Sequence, residues 1–164
     1  MASNGSDPSG TKRVVITGGA SGLGLAMTRH FASQGHRVAV LDVNAESGSA
    51  AVSKVSLEYP QATVVFHKCD VSSWDSQASA FKTVYQEAGK IDIVMANAGI
   101  SEQGASSLAA VDDGEPSQPR LRTLDVNLTG AIYSKFRVGF IGQPRREAHR
   151  KYSCETRHAL YAEE

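Results

Sequence analysis

Short, nearly continuous apolar runs recur along the first part of the chain. Each is rich in Val, Ile and other residues that favour strands, and each is followed by a turn signal. The runs are residues 13–17, 37–42, 62–67 and 91–96. Strands that carry apolar residues on both faces are typical of parallel sheets covered on both sides, so the runs predict a parallel sheet of about four strands.

Amphipathic stretches separate these runs and predict the helices that cover the sheet. In the first stretch, Leu23, Met27 and Phe31 recur at helical spacing, and the second stretch spans residues 45–59. The third stretch, residues 74–88, has an apolar face made by Trp74, Ala78, Phe81, Val84, Tyr85 and Ala88. Strand and helix therefore alternate as in an α/β, doubly wound fold.

The pattern weakens after residue 100. Residues 101–120 are rich in Gly, Ser, Asp and Pro and predict a surface loop with a short helix near residues 107–111. A further helix is predicted from residue 121 onward, with one apolar side facing the sheet. That side consists of Leu121, Leu124, Val126, Leu128, Ala131 and Ile132.

Composition divides the chain into three parts. Residues 1–11 predict a flexible tail, residues 12–134 one α/β domain, and residues 135–164 a basic, poorly patterned tail. This last segment holds seven basic and four acidic residues, whereas the chain of 164 residues has 17 of each and no net charge. The abrupt change near residues 134–138 favours the hypothesis that the reading frame is altered there.

Charge and cysteine content argue against several classes of protein. A net charge of zero provides no general attraction for nucleic acid or for an acidic membrane. Cys69 and Cys154 lie far apart without CxxC spacing, which argues against a disulfide framework and a structural zinc site. No apolar stretch predicts a signal peptide or a membrane span. We therefore expect a cytoplasmic protein with no metal site and no nucleic-acid or membrane partner.

A glycine-rich turn, TGGASGLG, runs from Thr17 to Gly24 between the first predicted strand and helix. Gly18 permits the tight turn, Gly22 lets the backbone approach a pyrophosphate, and Gly24 lets the helix pack close to the strand. Ser21 adds a hydroxyl donor, and the start of the helix directs free N–H groups towards phosphates. No Lys-Ser/Thr follows, which argues against a P-loop. A turn that needs only flexibility is the alternative.

Asp42 ends the second predicted strand, roughly 20 residues after the glycine-rich turn, where an acidic side chain meets the adenosine ribose in dinucleotide-binding folds. A carboxylate there accepts hydrogen bonds from both ribose hydroxyls and repels a 2′-phosphate. No Arg or Lys lies within residues 42–46 or 19–21. NAD is therefore favoured over NADP, which stays open through Lys12 or Arg13. The alternative is that Asp42 is only the N-cap of a helix.

Four motifs in this order resemble the short-chain dehydrogenase/reductase family. They are TGGASGLG, Cys69-Asp70-Val71 after the third strand, Asn97-Ala98-Gly99 after the fourth strand, and Asn127 within DVNLTG. The resemblance covers about residues 12–134. It implies the N-terminal part of a Rossmann fold, a nicotinamide cofactor, and the interconversion of a secondary alcohol and a ketone.

The resemblance also implies roles for individual residues. The pyrophosphate would lie against Gly18, Ser21, Gly22, Leu23 and Gly24, and the cofactor would rest on Asn97, Ala98 and Gly99. Asp70 would bind the adenine amino group, and Val71 the adenine edge through its backbone. Asn127 looks like the family's helix-kink asparagine, which supports a water in the proton relay, and is the catalytic candidate. As alternatives, Asp70 is a strand-end cap and Asn97 a turn residue that ties Thr17 to the sheet.

The sequence departs from the family pattern in its later part. Family members continue to a catalytic serine and a Tyr-x-x-x-Lys pair, in which the lysine lies one helical turn from the tyrosine and lowers its pKa. None of the five tyrosines here is followed by lysine four positions later, and Tyr133 with Arg137 comes nearest. We expect an oxidoreductase that is impaired or inactive as this truncated chain, or a catalytically silent nucleotide-binding or interaction module.

Truncation of the fold would leave one strand without a neighbour. In the strand order 3-2-1-4-5-6, only the 3-2-1-4 half is expected. Strand 91–96 would then be an exposed apolar edge, through which the chain would form a homo- or hetero-oligomer or aggregate.

Overall fold

Four parallel strands form one sheet in the order β3-β2-β1-β4. In the computed structural model, which describes residues 10–101 and 121–140, the strands are β1 (Arg13–Thr17), β2 (Arg37–Asp42), β3 (Thr63–Lys68) and β4 (Ile93–Ala96). Val15 lies opposite Ala39 of β2 on one side and opposite Val94 of β4 on the other. The predicted parallel sheet and its 3-2-1-4 order are therefore confirmed.

Helices cover both faces of this sheet. Along the chain they are α1 (Gly22–Ser33), α2 (Ala45–Glu58), α3 (Trp74–Ala88), α4 (Arg122–Leu124) and α5 (Gly130–Phe140), with a π-helical segment (Asp125–Thr129) between the last two. Alternate strand residues face opposite ways: Val14 and Val38 pack with α1 and α2, whereas Val15 and Leu41 pack with α3. The two central strands are consequently buried on both faces, as their apolar composition predicts.

Helix α1 buries small residues most completely, and of the three predicted large residues Met27 and Phe31 are partly buried against the core whereas Leu23 is not. Gly24, Thr28 and Ala32 face the sheet, whereas Leu23 is 68% exposed, so its assignment to the buried stripe is wrong. The reason is the short distance between α1 and β1, because a Cβ atom on Gly24 would collide with the carbonyl oxygen of Gly18.

Helix α3 differs from its predicted face in three positions, one of which is Ala80, which is buried although it was not predicted to be. Trp74 is 45% exposed and makes an edge contact with Tyr133, with centroids 5.1 Å apart, while the Arg137 guanidinium stacks on its ring. Gln77, in contrast, is completely buried although it is polar. The predicted face was therefore correct in its apolar centre, at Phe81 and Val84, and wrong at its first turn.

The apolar side predicted for the final helix does not face the sheet. Val126 packs against the core, but Leu121, Leu124, Leu128 and Ile132 are 44–57% exposed. The buried face of α5 consists instead of Gly130 and Ser134, which lie against α3, and no described part of the chain covers the other side. Phe136, 59% exposed, extends this surface, which we call the exposed apolar face and define as Leu121, Leu124, Leu128, Ile132 and Phe136.

Several boundaries differ by one or two residues from their predictions. β3 and β4 begin at Thr63 and Ile93, and α2 ends at Glu58. Helix α5 continues to Phe140, past the predicted domain boundary at residue 134. The tails predicted at residues 1–11 and 135–164 lie largely outside the described residues, as does the short helix near residues 107–111. None of the described helices is long and apolar enough to cross a membrane.

Candidate cofactor site

A cavity of about 420 Å³ opens at the carboxyl ends of the strands. The chain lines it wherever it leaves the sheet: with Gly18 after β1, Asp42 at the end of β2, Asp70 after β3 and Ala98 after β4. The cavity lies where the strand order reverses, because β2 and β3 continue from β1 on one side and β4 on the other. Open α/β sheets bind ligands at this switch point.

The fold brings together every residue that was predicted to bind the cofactor. The cavity is lined by Gly18, Ser21, Gly22, Leu23, Gly24, Asp42, Asp70, Val71, Asn97, Ala98 and Gly99. It is also lined by Val43, Cys69, Ile100, Arg122 and Val126, which were not predicted. Four of these adjoin predicted site residues in the sequence, but no local motif marks Arg122, which reaches the cavity from helix α4.

The glycine-rich turn has the geometry that its sequence predicts. Gly18 has φ +66°, and its N–H donates to the carbonyl of Leu41 at 2.7 Å. A Cβ atom there would lie 2.8 Å from the Cα atom of Ala98, and one on Gly24 would lie 2.7 Å from Nδ2 of Asn97. Gly22 also has a positive φ, with open space beside it. The turn is therefore tight, and helix α1 starts directly against it.

The N-terminus of α1 differs from those of the two helices that follow β2 and β3. Helices α2 and α3 begin at Asn44 and Ser73, whose side chains accept hydrogen bonds from the N–H groups of Ser47 and Ser76. Ser21, at the start of α1, makes no such bond, and the first turn of α1 has no acidic residue. The first N–H groups and the positive end of the helix dipole are therefore left for an anion in the cavity.

Asp42 connects the end of β2 to the glycine-rich turn. Its Oδ2 atom accepts a hydrogen bond from the N–H of Ala20 at 3.2 Å, and its Oδ1 atom from that of Asn44 at 3.1 Å. Asn44 is the N-cap of α2, so the alternative assignment of Asp42 as the N-cap is wrong. Lys12 and Arg13 lie at the opposite end of the sheet, where Arg13 pairs with Asp92. They do not approach Asp42, so the prediction that Lys12 or Arg13 could favour NADP at this position is also wrong.

Asp70 caps the end of β3, which is the alternative to a binding role that the sequence left open. Its Oδ1 atom accepts from the N–H and the hydroxyl of Ser72, at 2.9 and 2.6 Å. Its own N–H donates to Oγ of Ser76 at 2.9 Å. The residue nevertheless remains exposed and lines the cavity, and its role in binding adenine stays a prediction.

Asn97 likewise has the structural role that the sequence left open, that of a turn residue tied to Thr17. Its Nδ2 atom donates to the carbonyl of Thr17 at 3.1 Å and lies 3.4 Å from that of Gly18. The side chain thereby fastens the end of β4 to the glycine-rich turn. Ala98 and Gly99, which follow, line the cavity beside it.

Asn127 lies in the π-helical segment, a geometry often found at functional sites. Its Oδ1 atom accepts from the N–H of Ile100 at 2.8 Å, and its Nδ2 atom donates to the carbonyl of the same residue at 2.9 Å. Both ends of the amide are therefore engaged with the loop after β4. The π-helical segment agrees with the expected helix kink, and the catalytic role of Asn127 stays a prediction.

Cys69 is the one cysteine among the described residues, and it is almost completely buried in the cavity wall. Burial raises the pKa of its thiol to about 11, and this outweighs a hydrogen bond with Ser76 that lowers it. The thiol is therefore neutral near pH 7. In the part of the chain that the structure describes, no cluster of His, Cys, Asp or Glu could hold a metal ion.

Comparison with known proteins identifies relatives of this chain. The sequence model of the short chain dehydrogenase family matches residues 12–135. The NADP-dependent dehydrogenase clz5 of Cochliobolus lunatus is 38% identical over 130 residues, which are 76% of this chain and 44% of that protein. Short-chain dehydrogenase reductase 5 of Arabidopsis thaliana is 32% identical over 124 residues, which are 73% of this chain and 43% of that protein.

Solved structures give the same result. NAD⁺-bound xylitol dehydrogenase superposes with a TM-score of 0.68 at 30% identity, over 79% of this chain and 47% of that one. NADPH-dependent 3-quinuclidinone reductase from Rhodotorula rubra superposes with a TM-score of 0.67 at 26% identity, over 79% and 47%. The chain thus spans less than half the length of these proteins. With the family model covering most of its residues, the chain belongs to the short-chain dehydrogenase family.

Proposed function

We propose that this chain binds a nicotinamide dinucleotide and forms the cofactor-binding part of an oxidoreductase that interconverts a secondary alcohol and a ketone. The observation that carries the proposal is the cavity at the switch point of the sheet, which is lined by all eleven predicted residues. The uncapped N-terminus of α1 supports a pyrophosphate at the glycine-rich turn.

We propose NAD as the preferred cofactor. The Asp42 carboxylate lies in the cavity wall, where it would accept hydrogen bonds from the ribose hydroxyls and repel a 2′-phosphate. Arg122 is the cationic residue of the lining, and it would attract the anionic cofactor. The relatives support a nicotinamide cofactor without deciding between the two, since one is called NADP-dependent and another holds NAD⁺.

The residues of this chain would bind and orient the cofactor, which supplies the acceptor or donor of the hydride when it is bound. The side chain of Asn127 would keep the loop after β4 against the helical segment, because it holds Ile100 at both backbone atoms. A proton must also pass to or from the substrate oxygen. The sequence has no Tyr-x-x-x-Lys pair for this step, so we propose that binding persists without appreciable turnover.

Titration with NADH, followed by its fluorescence, tests the proposal together with assays of turnover on a panel of ketones. Saturable binding without turnover is the expected result. Absence of binding would contradict the proposed function, and measurable turnover would contradict the requirement for the missing tyrosine and lysine.

We place the protein in the cytoplasm as part of the same proposal, since its cysteines have no spacing that predicts a disulfide.

A second candidate is a catalytically silent module that binds a partner protein. Within the described residues β4 pairs with β1 alone, and Ile93, Val94 and Met95 are only partly buried. The exposed apolar face lies on the helical segment that follows, and together these surfaces favour association with another chain. Light scattering tests this candidate: oligomers of the native chain that dissociate in Phe136→Lys support it, and a stable monomer contradicts it.

A further inference from the structure

Helix α3 buries one polar side chain that the proposed cofactor contacts do not use. Gln77 is completely inaccessible, whereas its buried neighbours on the helix are Ala80, Phe81 and Val84. Burial of an amide is unfavourable unless its polar atoms are paired. The partners of Gln77 therefore indicate what the side chain does.

Each polar atom of this amide has a partner. Nε2 donates to the carbonyl of Val71 and to that of Gly130, both at 2.8 Å. Oε1 accepts from the hydroxyl of Ser134 at 3.1 Å. Gln77 thus joins helix α3 to the cavity wall on one side and to helix α5 on the other.

The same three segments are packed tightly around Val71. A Cβ atom on Gly130 would lie 2.9 Å from Cγ2 of Val71, so α5 leaves that side chain no room to move towards it. One residue earlier, the N–H of Asp70 is held by Ser76, which precedes Gln77 on α3. The first turns of α3 and the start of α5 therefore fix the backbone of both Asp70 and Val71.

We propose that Gln77 is a positioning residue that fixes the cavity wall at Val71 and thereby gives the site its preference for adenine over other bases. The inference rests on the proposed function, and it takes Asp70 and Val71 to contact the adenine edge, as the resemblance to the family implies. Gln77 touches no ligand and acts through the Val71 carbonyl that it holds. Recognition of a base edge depends on such support, because a wall that moves by about 1 Å loses its hydrogen bonds to the ligand.

Gln77→Met tests the proposal, because methionine keeps the unbranched shape and approximate volume but has no amide. The measured quantity is the ratio of the dissociation constants of NADH and of reduced nicotinamide hypoxanthine dinucleotide, in which a carbonyl replaces the adenine amino group. Partial unfolding lowers the amount of binding protein and leaves this ratio unchanged. We expect Gln77→Met to bind NADH about tenfold more weakly and the hypoxanthine analogue almost as before.

Val84→Ala is the matched control, because it removes buried apolar volume from the same helix at a position that does not line the cavity. We expect it to lower stability and to keep the native ratio. Hydrogen exchange of residues 69–73 without ligand is the second measurement. It should accelerate in Gln77→Met and stay unchanged in Val84→Ala.

The outcomes separate this inference from the proposed function. A native chain that binds NADH, together with an unchanged ratio in Gln77→Met, would overturn the role in base preference. Unchanged hydrogen exchange of residues 69–73 in Gln77→Met would overturn the role of Gln77 in holding the cavity wall. A native chain that binds neither dinucleotide would overturn the proposed function and the base preference with it, while the exchange data would still decide whether Gln77 fixes the wall.

Discussion

The hydroxyl of Thr17 accepts hydrogen bonds from the backbone N–H groups of both Asn97 and Ala98, each at 3.1 Å. Thr17 ends β1 and is almost completely buried, so this single oxygen joins the carboxyl end of β1 to that of β4. The side chain of Asn97 adds a second link between the two strands, because its Nδ2 atom donates to the carbonyl of Thr17. The cavity therefore has a rigid base, because the ends of β1 and β4, the strands on either side of the switch point, are fastened to each other.

We predict that Thr17→Val destabilises the chain although valine has nearly the same shape as threonine. The substitution leaves the N–H of Ala98 without its acceptor and the N–H of Asn97 with the carbonyl of Met95 alone, and we expect the free energy of unfolding to fall by about 2 kcal/mol. Thr17→Ser is the control, since it keeps the hydroxyl and loses one methyl group, for about 1 kcal/mol. Urea denaturation measures both, and equal stability of the two variants would refute this role of the hydroxyl.

A second prediction concerns the choice of cofactor. Asp42→Asn keeps the size of the side chain and an acceptor for Ala20 but removes the charge that would repel a 2′-phosphate. We expect NADPH to bind about tenfold more tightly and NADH more weakly, measured as dissociation constants at constant ionic strength. Glu46→Gln, in the first turn of α2, controls for the general loss of one negative charge. A gain of the same size in Glu46→Gln would show that Asp42 does not select the cofactor.

The sequence predicted the sheet well because β1 and β2 are buried on both faces and their apolar runs admit few alternatives. The cavity lining was also predictable, since parallel strands bring the residues after each strand to one edge. Arg122 and Gln77 were missed, because their positions depend on how distant segments pack. The orientation of Leu128 and Ile132 was wrong for the same reason: periodicity identifies an apolar side but not what that side contacts.

A third prediction follows from the raised pKa of Cys69. Below pH 9 the thiol is neutral in the folded and the unfolded chain, so its ionisation does not affect stability. Between pH 9 and about 11 the unfolded chain loses this proton while the folded chain keeps it, which favours unfolding. We expect the free energy of unfolding to fall in this range by an amount on the order of 1 to 2 kcal/mol that is absent in Cys69→Ala. Parallel pH profiles of the two proteins would contradict the raised pKa.

The close approach of Gly24 to Gly18 gives a fourth prediction. In Gly24→Ala the new methyl group would collide with the Gly18 carbonyl oxygen, and relief of the collision requires α1 to move away from the glycine-rich turn. We expect a loss of stability of about 1 to 3 kcal/mol, measured by urea denaturation, and loss of the phosphate-binding geometry. Gly35→Ala is the matched control: its φ of +75° makes alanine unfavourable by about 1 kcal/mol, but the space around it is open and it lies away from the cavity.

Calorimetric titration with NADH of the native chain, Gly24→Ala and Gly35→Ala tests most directly whether the cavity at the strand ends binds the cofactor. We predict one site per chain in the native protein and in Gly35→Ala, and no detectable binding in Gly24→Ala under conditions where the variant is folded. A native chain without binding, or a folded Gly24→Ala that binds NADH as tightly as the native chain, would contradict this prediction.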